Sequence, residues 1–249
     1  MQIKSFLPKT RWLVTIILLL FLSIEQAWGD SSITEDFENA GMTAETTYNS
    51  TREYTAANSN AEIAWFVEHG CVATSDKLRG TKSMHMRAYY ARYAATDVWN
   101  GNLPYLESRT AVTGLKSISF YAATSAPSYL SFDIMYSTDG SNWSAMKTTA
   151  ATPADATAQT FTSTSAQYTY NIPSPNTSYS YYIKIAVNSG STHVYKTSSG
   201  GANYTFRVDD ITFTYSTCTN LGTINGSYNK RVFYAYLFSL CQRSCGIFL

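Results

Sequence analysis

Asp36-Phe37-Glu38 near the start of the chain and Arg207-Val208-Asp209-Asp210-Ile211 near its end decide how the sequence is read. Between them runs a succession of short segments in which apolar and polar residues alternate with period two, the signature of half-buried strands. In a jelly-roll sandwich the first and last strands can lie side by side, which brings carboxylates distant in sequence onto one oxygen-rich cation site. The expectation is therefore an all-β chain, a jelly-roll β-sandwich of two antiparallel sheets, clamped by a calcium ion. Val208 and Ile211 are three apart, which breaks the alternation around the two aspartates and predicts a β-bulge there.

The segments are readily found. Leu130, Phe132, Ile134 and Tyr136 alternate with Ser131, Asp133 and Met135, and Ser137-Thr138-Asp139-Gly140-Ser141-Asn142 then supplies turn chemistry for a hairpin ahead of Trp143. Tyr181, Ile183, Ile185 and Val187 form a second alternating set, and Ile118 with Phe120 a third. Further strands are expected over 63–67, 84–89, 107–112, 159–164, 167–172 and 205–215. No helix is expected beyond the N-terminal leader.

That leader has Lys4, Lys9 and Arg11 ahead of an apolar run from Leu13 to Ile24, followed by Ala27-Trp28-Gly29 with small residues at the −3 and −1 positions. Residues 1–29 read as a secretory signal peptide, so the mature chain is expected to be secreted or held at the cell surface. The run is shorter than the ~20 residues a membrane helix needs, and no membrane span is expected after cleavage. Residues 30–216 read as the sandwich. Residues 217–249 read as a linker and an incomplete or atypical C-terminal tail, as in a truncated chain.

Composition narrows the function. The 18 basic and 17 acidic residues nearly cancel and the mature body has no Lys/Arg run, so a phosphate-tracking surface is not expected and nucleic acid is not an expected partner. The 20 tyrosines, with abundant Ser and Thr, suit pleated strands with hydroxylated outer faces. Catalytic signatures such as Gly-x-Ser-x-Gly or His-Glu-x-x-His are missing, and His69, His85 and His193 are widely spaced. A glycosidase needs only two opposed carboxylates, yet nothing in the sequence selects a pair. Nor does it specify an oligomeric state. The cysteines, Cys71, Cys218, Cys241 and Cys245, allow three pairings in an exported protein, among them Cys71 with Cys218 and Cys241 with Cys245.

The order Asp36-Phe37-Glu38, Trp65, Gly80-Thr81-Lys82-Ser83-Met84, Gly114-Leu115-Lys116-Ser117-Ile118-Ser119-Phe120, Tyr136-Ser137-Thr138-Asp139-Gly140-Ser141-Asn142-Trp143 and Arg207-Val208-Asp209-Asp210-Ile211 resembles the jelly-roll modules of bacterial surface proteins. These are the cleaved-adhesin and choice-of-anchor type domains, distantly similar to MAM domains, and the resemblance covers Ile33 to Ser216. It implies a noncatalytic module of a secreted or cell-surface protein, often appended to an enzyme or adhesin. It also implies structural Ca2+ held by the Glu of the first strand and an Asp of the last, which fall on Glu38 and Asp209. Two carboxylates with loop carbonyls suffice for such an ion; the plainer reading is that both are solvated strand ends. Asp139 is a rival acidic position that its turn role already explains.

For a ligand, the stretch from Tyr89 to Tyr105 stands out. Tyr89, Tyr90, Tyr93, Trp99 and Tyr105 offer rings that stack on sugar faces, with Arg92, Asp97 and Asn100 to bond hydroxyls. Against this stands the plainer reading that the rings cap the open end of the core or its edge strands. The expected function is a noncatalytic binding or adhesion module for a glycan or a surface protein. The alternative is an accessory domain of a secreted hydrolase or nuclease whose catalytic domain is missing.

Overall fold

The computed structural model describes residues 28–46, 51–93, 96–99, 103–191 and 202–218, with the side chains of 28, 89–93, 96–99, 202, 203 and 218 outside the description. The strands are β1 (Trp28–Glu35), β2 (Arg52–Tyr54), β3 (Trp65–Glu68), β4 (Gly70–Ala73), β5 (Ser83–Tyr93), β6 (Thr96–Trp99), β7 (Tyr105–Ser108) and β8 (Val112–Thr113). They continue as β9 (Leu115–Thr124), β10 (Phe132–Ser137), β11 (Ser144–Ala145), β12 (Lys147–Thr148), β13 (Ala166–Asn171), β14 (Ser180–Val187) and β15 (Ala202–Cys218). A short 3-10 turn at Ala56–Asn58 is the one helical element among the described residues.

Two antiparallel sheets form a jelly-roll β-sandwich. The first runs β12-β13-β9-β15-β5-β4, with β6 on β5 and β1 on β15; the second runs β11-β10-β14-β7-β3-β2, with β8 on β14. The pairing of β1 with β15 joins the first strand to the last, and Thr34 Oγ1 lies 2.8 Å from Thr212 Oγ1 across it. Residues Ser32–Tyr215 make one compact unit. In the other unit the described residues keep their own contacts, Thr217 Oγ1 donating to the Gly29 carbonyl at 3.2 Å. The leader and residues 219–249 lie outside the described residues.

Alternation explains the core. From β3, Trp65 and Val67 point inward; from β14, Ile183 and Ile185; from β9, Ile118 and Phe120; all are buried. Rings meet across the two sheets: Trp65 lies 6.1 Å from Phe213 and Phe132 lies 4.7 Å from Phe206. Each fully buried aromatic or aliphatic side chain contributes roughly 1.5–3 kcal/mol, and this layer is what holds the sheets face to face.

The bulge is where the alternation broke. Asp209 pairs with Tyr121 and Thr212 with Ser119, so Asp210 and Ile211 together oppose Phe120. Val208, Asp209 and Ile211 are all buried as a result.

Two expected strands differ. The run 107–112 is split because the Ser108 hydroxyl accepts the Ile183 N–H at 2.9 Å, ending β7 where a ladder carbonyl would otherwise continue. The run 159–164 makes a single bridge, Gln159 with Phe132, before Phe161 turns into the core and stacks on Phe132 at 4.3 Å. Burial of one ring outweighs a continued edge ladder. Cys71 is a free, buried thiol, so the pairing with Cys218 is not made.

Candidate functional site

β1 ends in a carboxylate with no place in its apolar surroundings except through hydrogen bonds. Glu35 is fully buried, and it accepts from Phe37 N–H at 2.9 Å, Trp65 Nε1–H at 3.2 Å and the Ser59 hydroxyl. Burial pushes its carboxyl above the usual range, against the pull of those bonds. This network fixes the next turn, in which Phe37 adopts φ 57°. A bulky L-residue there is strained, and the strain is held by burying the ring 6.1 Å from Trp65.

The turn leaves Asp36 and Glu38 lining an open cleft together with Leu78, Arg79, Gly80, Asp209 and Asp210. The structure thus brings Glu38 and Asp209 to one place, from β1's exit and from the bulge in β15. Asp36 Oδ1 accepts from Glu38 N–H at 3.1 Å and Asn60 Nδ2 at 2.7 Å. Glu38 is gripped by the loop between β4 and β5: its carboxylate accepts from Thr81 N–H at 2.5 Å, Lys82 N–H at 2.9 Å and the Thr81 hydroxyl. Burial acts to raise its pKa, but the bonds from Thr81 and Lys82 and the Lys82 charge outweigh it and leave the group below its ordinary value.

Gly80 is what lets this loop close. Its φ is +53°, and a Cβ would sit 2.2 Å from Glu38 Oε1. On the far wall Asp209 is 1% exposed and accepts from Ser83 Oγ at 2.7 Å, Arg79 N–H at 3.1 Å and Asp210 N–H at 2.9 Å. Burial pushes its carboxyl up to about 7 in spite of these bonds. Asp210, at φ 46°, receives Arg79 Nε at 2.6 Å, and the same guanidinium lies 4.3 Å over the Tyr121 ring.

Chemically the cleft offers oxygen donors only, which suits a hard cation rather than zinc or copper. A carboxylate has about four acceptor positions, and Glu38 and Asp209 each use three on protein donors, leaving room for one bond each. Among the described residues no three Asp, Glu, His or Cys side chains form a metal-ligating group. An ion here would be held by Glu38 and Asp209 through those remaining acceptor positions. Asp36 and Asp210 belong to the two acidic stretches from which the sequence reading began, whereas Leu78 and Arg79 join the cleft only through the fold, and the Gly80-Thr81-Lys82-Ser83 run is the sequence signal for their loop.

The aromatic stretch is divided between sheets. Tyr89, Tyr90 and Tyr93 belong to β5 and Trp99 to β6, both in the first sheet, where Tyr90 pairs with Trp99; their side chains lie outside the described residues. Tyr105 is in β7 of the second sheet, half-buried on the face away from the core. Asp139 closes its hairpin turn, accepting from Ser137 Oγ, Ser141 N–H and Asn142 N–H, and these bonds hold it well below the usual carboxylate range.

No protein-family model matches the chain, and no curated protein does. Among solved structures it is similar to a cleaved adhesin domain of Lys-gingipain, at 15% identity and TM-score 0.40 over 74% of this chain and 99% of that one. It is similar to a second cleaved adhesin domain of Lys-gingipain, from Porphyromonas gingivalis, at 13% identity and TM-score 0.36 over 74% and 97%. A family 11 carbohydrate-binding module of a Clostridium thermocellum cellulosomal cellulase is similar at 10% identity and TM-score 0.31 over 74% and 95%. Similarity of this degree brings neither a ligand nor a site to this chain.

Proposed function

We propose that this chain is an exported, noncatalytic binding module, secreted or at the cell surface, whose first and last strands are locked together by a calcium ion at Glu38 and Asp209. The observation that carries it is the state of those two carboxylates. Each is held in place by three protein donors, from Thr81 and Lys82 on Glu38 and from Arg79, Ser83 and Asp210 on Asp209, and each keeps one acceptor position toward the cleft, the arrangement of a clasp for a cation. Support for a cation comes from Asp209, whose three donors are neutral N–H and O–H groups although its carboxyl is almost fully buried; buried charges are normally paired or metal-bound. The ligand of such a module is a glycan or a surface protein, and the leader read over residues 1–29 supplies the route out of the cell.

The test has two arms. With purified mature chain, calcium after chelation should raise the melting temperature and magnesium at equal concentration should not; an unmoved transition sinks the clasp. Incubation with polysaccharides should give saturable binding without new reducing ends, and released product would overturn the noncatalytic reading.

A further inference from the structure

The outer face of the second sheet carries a row of directly opposed residues across six strands. Glu53 pairs with Phe66, Phe66 with Glu107, Glu107 with Lys184, Lys184 with Met135 and Met135 with Ala145. Their chain neighbours Trp65, Leu106, Ile183 and Ile134 face the core, so the row lies on the opposite surface. Surfaces of this kind are ordinarily covered with exposed hydroxyls and charges. This one is built differently.

Glu107 has a side chain only 5% exposed, and it bridges two cations, Arg109 at 2.7 Å and Lys184 at 2.6 Å. The Arg109 guanidinium lies 4.5 Å over the Phe66 ring, Phe66 stacks on Tyr105 at 5.5 Å, and the Lys184 ammonium lies 4.7 Å from the Tyr105 ring and 4.1 Å from Trp143. Trp143 is placed by the turn that Asp139 closes. Burying a carboxylate between two cations on the solvent side of a sheet is a poor way to stabilise a fold, since apolar residues in its place are often neutral or better. It is an effective way to hold three half-exposed rings at fixed angles, a preorganisation that recognition needs.

Resting on the reading of the chain as an exported binding module, we propose that Phe66, Tyr105, Glu107, Arg109, Trp143 and Lys184 form a glycan-binding strip for a neutral polysaccharide lying across the strands. The charge balance selects the class. The two cations are answered by Glu107 and flanked by Glu53 and Glu68 on the same face, so a polyanion meets net repulsion. Glu107 is already committed to Arg109 and Lys184, so a polycation would have to displace both to reach it. A neutral sugar presents apolar C–H faces to half-exposed rings and hydroxyls to a guanidinium and carboxylates. Strands lie about 4.8 Å apart, close to the length of one pyranose, so successive sugars meet successive strands.

The experiment is affinity electrophoresis of the mature chain through gels containing cellulose ether, laminarin, xylan, galactomannan, polygalacturonate or heparin. The variants are Trp143→Ala, Tyr105→Ala and Trp143→Phe, each checked by thermal melting. Retardation by at least one neutral polysaccharide, insensitive to added salt, weakened about tenfold or more in the alanine variants and largely kept in Trp143→Phe, is the expected result. Binding of wild type that the alanine variants leave intact overturns the strip while the binding-module reading stands. Retardation by the polyanions alone overturns the ligand class, and so does retardation by none of the six. Release of reducing ends overturns both the strip and the module reading.

Discussion

Replacing Gly80 with alanine tests the clasp geometry most directly. The added Cβ would lie 2.2 Å from Glu38 Oε1 and 3.0 Å from Cδ, on a backbone with φ +53°. A left-handed conformation costs a non-glycine residue about 1–2 kcal/mol. The clash adds to this, because Glu38 must leave and three hydrogen bonds from Thr81 and Lys82 go with it. At this partly exposed position water replaces part of each bond, so about 0.5–1 kcal/mol apiece is the fitting scale. The sum is about 2.5–5 kcal/mol, or roughly 10 °C in melting temperature. Denaturant unfolding of Gly80→Ala, Glu38→Ala and the double variant separates the contributions. With Glu38 already truncated, Gly80→Ala should cost only its backbone share of about 1–2 kcal/mol, giving a coupling near 2 kcal/mol. Strict additivity would refute the claim that Gly80 acts through Glu38. Both single variants should also lose the calcium-dependent rise in melting temperature.

Glu35→Ala should destabilise by about 3 kcal/mol or more, since Phe37 N–H, Trp65 Nε1–H and the Ser59 hydroxyl all lose their acceptor; Glu35→Gln should cost less. Unfolding of both variants followed by tryptophan fluorescence checks this, and equal costs would count against the network. His85 provides a pH signature. Burial, aided by the Arg207 charge and opposed by Asp76, lowers its pKa from 6.5 to about 4. The unfolded chain therefore binds more protons between pH 6.5 and 4, so His85 contributes stability that is present above 6.5 and lost as pH falls through that window, about 3 kcal/mol in all. Urea midpoints from pH 7 to 4.5 should fall less steeply in His85→Gln than in wild type, and parallel curves would exclude the assignment.

Much of the fold could be read from residues one strand at a time. Period-two patterning located β9, β10, β13, β14 and β15, and the three-residue gap between Val208 and Ile211 marked the bulge. Short edge strands such as β2, β8, β11 and β12 escaped because two or three residues carry no period. Phe161 shows the other limit. Its segment looked like a strand, yet the ring is used to fill the core beside Phe132 and Phe120.

The sequence by itself determined the class of structure, the inward and outward faces of the long strands and the turn that Asp139 closes, because these depend on residues a few positions apart. Tertiary structure alone decided that Tyr105 belongs to a different sheet from Tyr90 and Trp99, that Glu35 is interior, and that Glu107 sits between Arg109 and Lys184. Alternation states which face a side chain occupies; which strand lies beside it is set by pairings that close long loops, and the balance of core burial across the whole sandwich fixes those.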